Sequence, residues 1–545
     1  MKYVIGIDYG TLSARAVLMD AESGEEIAES VFEYPHGVMD RELPSGKALP
    51  ASFALQHPQD YVDALRFTVR EVTKGISPSE VLSIAIDFTA CTLIAMDEAG
   101  VPLCMKREYE DQPHAYAKLW KHHAAQSEAD EITRLAKERG ERWIDLYGGR
   151  ISSEWALPKI LETLRKAPEV FAATYRFIDA GDWLSLLLTS KESHARSFAG
   201  YKWLYTCGEG YPTDEYMTAL DERLSGIVGT KISPAVCAPD KRSVGCLSAD
   251  GAELTGLPQG IPVGLPVIDA HAAMSALNIT RDGELMLVLG TSGCYILNSL
   301  EEKNIEGTGG YVKSGVFDGI CTYEAGQSSV GDSVDWFVKN CVPESYTAEA
   351  RERGMSIHRL LRERAMSLSA GESGLLSLDW FGGNRSILID HDLKGMILGI
   401  DLSTRPEEIY RAIIEGTAFG TRVILDHYES NGVRIERICA TGGIALKDEM
   451  MMQIYADVLD REIYIAATAQ AAAKGSAMRA AVAAGIYADI VEAADRLAQP
   501  YVKVYRPDPE SRAVYAQLYG EYKRLHDYFG RGENAVMSRL KKFKK

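Results

Sequence analysis

The stretch Tyr3-Val4-Ile5-Gly6-Ile7-Asp8-Tyr9-Gly10-Thr11-Leu12-Ser13-Ala14-Arg15-Ala16-Val17-Leu18-Met19-Asp20 decides the fold. It is a β-branched apolar run, a glycine-containing turn and a second apolar run, which predicts a β-hairpin. The same plan returns in Leu285-Met286-Leu287-Val288-Leu289, Gly290-Thr291-Ser292-Gly293 and Cys294-Tyr295-Ile296-Leu297-Asn298. Two such hairpins predict two similar lobes. Between them the Pro- and Gly-rich segment 256–266 leads to a short strand, Val267-Ile268. Asp269 follows and reads as the N-cap of a helix reaching Leu277. The polar turn Thr280-Arg281-Asp282-Gly283 marks the boundary, with one lobe over 1–279 and the other over 280–545.

Outward from the hairpins, strands alternate with helices. A strand is predicted over 82–86 and helices over 154–165 and 182–188. Thr404-Arg405-Pro406-Glu407 reads as a capping box opening a helix to about His427. Gly416 and Gly420, four apart on that helix, point to close packing against another helix. A strand over 435–440 ends at Thr441-Gly442-Gly443, a helix follows over 447–459, and the chain from Pro507 reads as helix. The alternation predicts an α/β fold.

Composition excludes several classes. Over 545 residues, 46% are hydrophobic and 25% charged, which is a globular mix. Against 77 acidic residues stand 59 basic ones, for a formal net charge of −18. So acidic a chain repels polyanions, so no nucleic-acid partner and no anionic membrane surface is expected. Nine cysteines with no C-x-x-C pair read as free thiols in a reducing cytoplasm. Asp8 interrupts the first apolar run, so no signal peptide is expected, and no 18-residue apolar stretch predicts a membrane span. The basic end Lys541-Lys542-Phe543-Lys544-Lys545 reads as a solvated terminus.

No P-loop, no dinucleotide fingerprint after a strand and no paired Cys/His zinc spacing is present. His122-His123 reads as a surface pair, and Trp120 as a core residue. The hairpin tips remain. Gly10, Thr11 and Ser13 expose N–H groups and hydroxyls that suit phosphate oxygens without net positive charge, and Asp8 beside them suits Mg²⁺ through water. One such turn alone is ordinarily structural. One from each lobe is what a nucleotide held between lobes requires. Gly442-Gly443 lets a flat base or ribose approach the backbone, although a plain strand–helix turn has the same pattern.

These residues resemble the FGGY carbohydrate kinases, within the actin- and hexokinase-like ATPase superfamily. The resemblance spans nearly the whole chain. Its most specific part is Gly395-Met396-Ile397-Leu398-Gly399-Ile400, followed by Glu408-Ile409 and Ala412-Ile413-Ile414-Glu415. The N-terminal signature, Glu154-Trp155-Ala156-Leu157-Pro158-Lys159-Ile160, keeps the lysine and the apolar frame but departs at Ala156 and Glu162. Asp87-Phe88-Thr89-Ala90-Cys91-Thr92, Tyr34-Pro35-His36-Gly37, the segment 114–123, Tyr201-Lys202-Trp203 and Asp379-Trp380-Phe381-Gly382-Gly383-Asn384-Arg385 are most similar to the members acting on L-ribulose.

The resemblance implies two actin-like (ribonuclease H-like) lobes with a central cleft that closes on its substrates. It implies ATP-dependent phosphorylation of L-ribulose at O5, in L-arabinose catabolism, with ATP and Mg²⁺. Asp269 then corresponds to the catalytic base, and Ala90, Lys202, Asp269 and Glu324 to the ketopentose contacts. Glu324 is read as standing at a strand end. Gly10, Thr11, Ser13, Arg15, Gly290, Thr291 and Ser292 would cradle phosphates, Gly442 and Gly443 would border the adenosine, and Asp8 and Asp269 would face the metal. Two alternatives stay open: a kinase of D-ribulose, xylulose or another polyol, and a non-catalytic actin-like sensor. A homodimer is allowed but not specified.

Overall fold

The computed structural model describes residues 2–466 and 470–543. Lys544 and Lys545, the last of the basic end, lie outside the described residues. The chain divides into two compact units. Unit 1 holds Met1–Thr280, Tyr311–Thr322 and Thr468–Gln499; unit 2 holds Arg281–Gly310, Tyr323–Ala467 and Pro500–Lys545. The chain thus leaves unit 1 at residue 280 and returns to it twice.

In unit 1 the quoted hairpin pairs strand Tyr3–Tyr9 with Ser13–Asp20, which in turn pairs antiparallel with Glu26–Glu33. On its other side Tyr3–Tyr9 takes the parallel strand Val81–Phe88, beyond which lies Pro262–Gly264. In unit 2, strand Glu284–Leu289 pairs antiparallel with Gly293–Ser299, next to Cys321–Gln327. Its other neighbour is the parallel strand Arg437–Thr441, followed by Ile463–Ala466. Taking the five strands named for each sheet in chain order, both run third, second, first, fourth, fifth.

Buried strands explain the near-continuous apolar runs. Tyr3, Val4, Ile5, Ile7 and Tyr9 are all at most 5% exposed, so both faces of this strand are covered. One cover is helix Ala471–Ala483, which lies against the strand so closely that any side chain at Gly6 would overlap the backbone of Ala473 and Ala477. Ser83 Oγ donates to Ala480 O at 2.5 Å along the same contact. This alanine-rich helix, far along the sequence, belongs to unit 1 because its small side chains let it sit flat on the first sheet.

In unit 2 the long helix Pro406–Ser430 carries the family signature. Its N-cap is Arg405 rather than Thr404, and Glu408 rather than Glu407 closes the box, accepting from Arg405 N at 2.5 Å. Gly416 and Gly420 do mark close packing, but against a strand and its end instead of a second helix. A Cβ on either would lie 2.5 Å from Ser377 O or Asp379 Oδ2.

Candidate active site

In unit 1, three acidic residues leave the sheet at one edge. Asp8 stands opposite Asp87 in the parallel register, and Val267–Ile268 pairs parallel with Asp87 and Phe88, so Asp269 is the next residue out. Parallel strands present their C-terminal ends together, the edge at which such sheets bind ligands. Beneath the acids, Tyr9 and Phe88 stack at 5.1 Å and Tyr61 meets both edge-on. Such pairs add about 0.5–1.5 kcal/mol each and pin the strand ends.

Asp269 is the first residue of helix Asp269–Ala276, with Ile268 as the N-cap, one position from the expectation. Its Oδ1 accepts from Ala270 N at 2.7 Å, and a negative side chain in this first turn is favoured by the helix dipole. Asp269 and Asp8 are half-buried, and Asp87 is fully buried. Burial pushes Asp87 well above the usual carboxylate range, and the Asp8 charge pushes it further. Ser476 opposes this by donating to Asp87 Oδ2 at 2.6 Å. Burial also raises Asp8, against the pull of the adjoining Asp87 carboxyl and of Arg15.

The motif reading missed Asp87 and Ser476 as site residues. A signal for Asp87 was present: Ile7-Asp8, Ile86-Asp87 and Ile268-Asp269 each place the same dipeptide at or next to the C-terminal end of an apolar strand. Nothing in the sequence points to Ser476, which lies 389 positions from its partner.

Ala90 lies half-buried in the turn after strand Val81–Phe88. Lys202 ends helix Arg196–Lys202, half-buried, and its charge is felt at Cys91 next to Ala90. Ser197 in that helix accepts from Ile268 N at 3.1 Å and pairs with His271 Nδ1 at 3.2 Å. One hydroxyl therefore ties the helix of Lys202 to the strand end of Asp269. Ala90, Lys202 and Asp269 are gathered in unit 1. Glu324 belongs to unit 2 and sits in the middle of strand Cys321–Gln327, half-buried, not at a strand end.

The hairpin tip of unit 1 is closed by Gly10 N donating to Ser13 O at 3.0 Å. Thr11 accepts through O from Gln56 Nε2 at 2.7 Å and through Oγ1 from Trp120 Nε1 at 3.1 Å. Trp120 is 38% exposed, not a core residue. Arg15 is exposed on the second strand. His122 also departs from expectation: it is fully buried, with Nε2 2.9 Å from Glu162.

In unit 2 the second tip repeats the closure, Gly290 N donating to Ser292 O at 3.0 Å. Thr291 O accepts from Val330 N at 2.8 Å and Asp332 N at 3.1 Å, so the start of helix Gly331–Cys341 braces the tip. Gly442 has φ +99°, and a Cβ there would lie 2.5 Å from Leu289 O, so only glycine fits. Gly443, the first residue of helix Gly443–Lys447, has open space where its side chain would be.

As a test of fit for a divalent cation, Asp8 and Asp269 offer the hard oxygen donors that Mg²⁺ takes, and buried Asp87 Oδ1 has no hydrogen-bond partner among the described residues. Among the described residues no three acidic, His or Cys side chains converge as direct ligands.

The N-terminal domain of the FGGY family of carbohydrate kinases matches residues 3–276, and its C-terminal domain matches 285–484. The chain belongs to this family. It is a sugar kinase, a phosphotransferase, and use of ATP follows from that membership. A protein named ribulokinase from Geobacillus thermodenitrificans is 47% identical over 551 residues, covering 100% of this chain and 97% of that protein. One of the same name from Halalkalibacterium halodurans is also 47% identical, covering 100% and 98%. Among solved structures, gluconate kinase from Lactobacillus acidophilus superposes with TM-score 0.81 at 20% identity, over 100% of both chains. Xylulose kinase from Rhodospirillum rubrum does so with TM-score 0.79 at 23% identity, over 96% and 98%. At these identities the structural likeness establishes the two-domain α/β fold of a sugar kinase and nothing finer. No helix among the described residues is long and apolar enough to cross a membrane.

Proposed function

We propose that this FGGY kinase phosphorylates L-ribulose at O5, the step that L-arabinose catabolism requires, as a cytoplasmic enzyme. The observation that carries the reading is Asp269, half-buried at the sheet edge where parallel strands bind ligands, with Lys202 tied to it through Ser197. The full-length identity to proteins named ribulokinase supports the choice of sugar.

In this reading Asp269 accepts the proton of the O5 hydroxyl as that oxygen bonds to the γ-phosphorus and the bond to the β-phosphate oxygen breaks. General-base help of this kind is typically worth ~10²–10⁴-fold. Its place in the first helical turn, with Oδ1 held by Ala270 N, aims the other oxygen. Lys202 donates to the ketopentose and Glu324 accepts from it, and Ala90 offers its backbone. A site built for a given hydroxyl rejects the analogue that lacks it. Gly10, Thr11, Ser13 and Arg15 suit phosphate oxygens, as do Gly290, Thr291 and Ser292, and Gly442 and Gly443 suit the adenosine. Asp8 and Asp269 hold a hydrated Mg²⁺, which supplies neutralisation of phosphate charge.

A coupled assay of ADP release with ATP, Mg²⁺ and L-ribulose, D-ribulose or xylulose tests this. The expected result is the highest kcat/KM with L-ribulose. Preference for another ketopentose would reassign the substrate, and no sugar-stimulated ADP release from any of them would refute the reading.

A further inference from the structure

Helix Ala156–Lys166 buries two lysines of unit 1 that behave differently. Against its middle reaches Lys118, whose Nζ donates to Lys159 O at 3.0 Å and Thr163 Oγ1 at 2.7 Å but also pairs its charge with Glu162 Oε2 at 2.7 Å, an ordinary buried ion pair. Lys159, on the helix itself, is 0% exposed, and its Nζ donates only to backbone carbonyls among the described residues: Cys91 O at 2.8 Å, Leu119 O at 2.9 Å and, more weakly, Lys118 O at 3.5 Å. Holding an ammonium in the interior costs desolvation that carbonyl dipoles offset less well than a carboxylate does. The two shorter bonds do not go to arbitrary carbonyls. Cys91 is the residue after Ala90, and Leu119 is the residue before Trp120, whose indole N–H meets Thr11 Oγ1.

The turn needs such a tie. Cys91 has φ +55°, a left-handed backbone that a non-glycine residue adopts only when its surroundings impose it. Other hydrogen bonds at this turn run from Thr89 Oγ1 to Thr92 Oγ1 at 2.9 Å, from Thr89 N to Tyr9 O at 3.2 Å and from Ala180 N to Thr92 O at 2.9 Å. None of them reaches the carbonyl of Cys91. Ala90 has only a methyl group and its backbone to offer a polyol, so whatever it contributes depends on where this turn is held.

We propose that Lys159 is a positioning residue for sugar recognition: its ammonium fastens the Ala90–Cys91 turn and the Leu119–Trp120 segment to one point and so sets the place of the Ala90 backbone. The inference rests on the ketopentose reading above, and it gives a function to the one lysine that the N-terminal signature retains.

The test is Lys159→Met, which keeps the apolar stem and removes the donor, assayed beside the wild type with ATP and L-ribulose. Loss of a charged hydrogen bond predicts a rise of roughly tenfold or more in KM for the sugar, with KM for ATP within about twofold of wild type. A wild type inactive on every ketopentose would sink the substrate reading and this inference with it. An active wild type whose variant has an unchanged sugar KM, or both KM values raised equally, would overturn this inference alone, whatever happens to Tm. Should Lys159→Met fail to melt cooperatively, Thr92→Val loosens the same turn without removing a buried cation. It is expected to raise the sugar KM about threefold, and an unchanged sugar KM there overturns the proposal equally.

Discussion

Gly475→Ala asks whether the returning helix Ala471–Ala483 sets the position of Asp269. Gly475 faces helix Asp269–Ala276, and a Cβ there would overlap the Ala272 carbonyl oxygen and lie 2.5 Å from its carbon. Carbon atoms pack at about 3.5–4.0 Å, so one helix must shift by about 1 Å. Helix Ala471–Ala483 is itself locked to the sheet at Gly6, Ser83 and Asp87, so the shift falls on the helix that begins with Asp269. Overpacking of this kind costs about 1–3 kcal/mol of stability, and a 1 Å misplacement of a reacting group costs on the order of 10²-fold in rate. The assay is kcat with ATP and L-ribulose, alongside thermal melting of the same preparation. The expected variant melts cooperatively at a lower Tm and turns over about 10²-fold more slowly. A variant with lowered Tm and wild-type kcat would show that this helix does not place the base.

The control for that experiment is itself a prediction. Gly520 lies inside helix Pro509–Gly530 with open space at its Cβ, so Gly520→Ala should stabilise by about 0.5–1 kcal/mol in urea unfolding, and a loss of stability would contradict the open site. Asp269→Asn should lower kcat by ~10²–10⁴-fold with KM for ATP little changed, and near-normal turnover removes Asp269 from the role of base. Acid should draw down the share of stability that the buried histidines supply, while the buried carboxylates raised by desolvation, Asp87 and Asp179 among them, act in the opposite sense. Burial lowers His194 to about 3 and His122 to about 4, against about 6.5 unfolded. Between these values the unfolded histidines bind more protons, so the share they supply falls as pH drops from 6.5 toward 4, by up to about 1.4 kcal/mol per pH unit for each histidine. The difference in urea-unfolding stability between wild type and His194→Gln, measured at pH 7 and pH 5, checks the sign: it should shrink at pH 5, and a difference that grows would refute it.

Much of the architecture was legible locally. The two Gly-Thr hairpins, the α/β alternation, the helix opening near Pro406 and the family signature are patterns within some twenty residues, because hydrogen-bonded strands, caps and amphipathic faces leave periodic marks on the residues that form them. Elements displaced by a residue, such as the capping box at Arg405 and the first turn at Asp269, reflect how many neighbouring polar groups can serve as a cap.

What local pattern does not carry is which surface an element meets. His122 meets Glu162 and Trp120 meets Thr11, each a partner from another part of the chain. The same holds for Ser476 on Asp87 and for Lys159 on Cys91 and Leu119. From its sequence alone the protein had its strands, its tips, its signature and the acid at 269. Only the tertiary structure joined Asp8, Asp87 and Asp269 at one edge and brought an alanine-rich helix back from the far half of the chain to seat them, since parallel pairing and close helix contact unite residues hundreds of positions apart and leave no periodic trace in either partner.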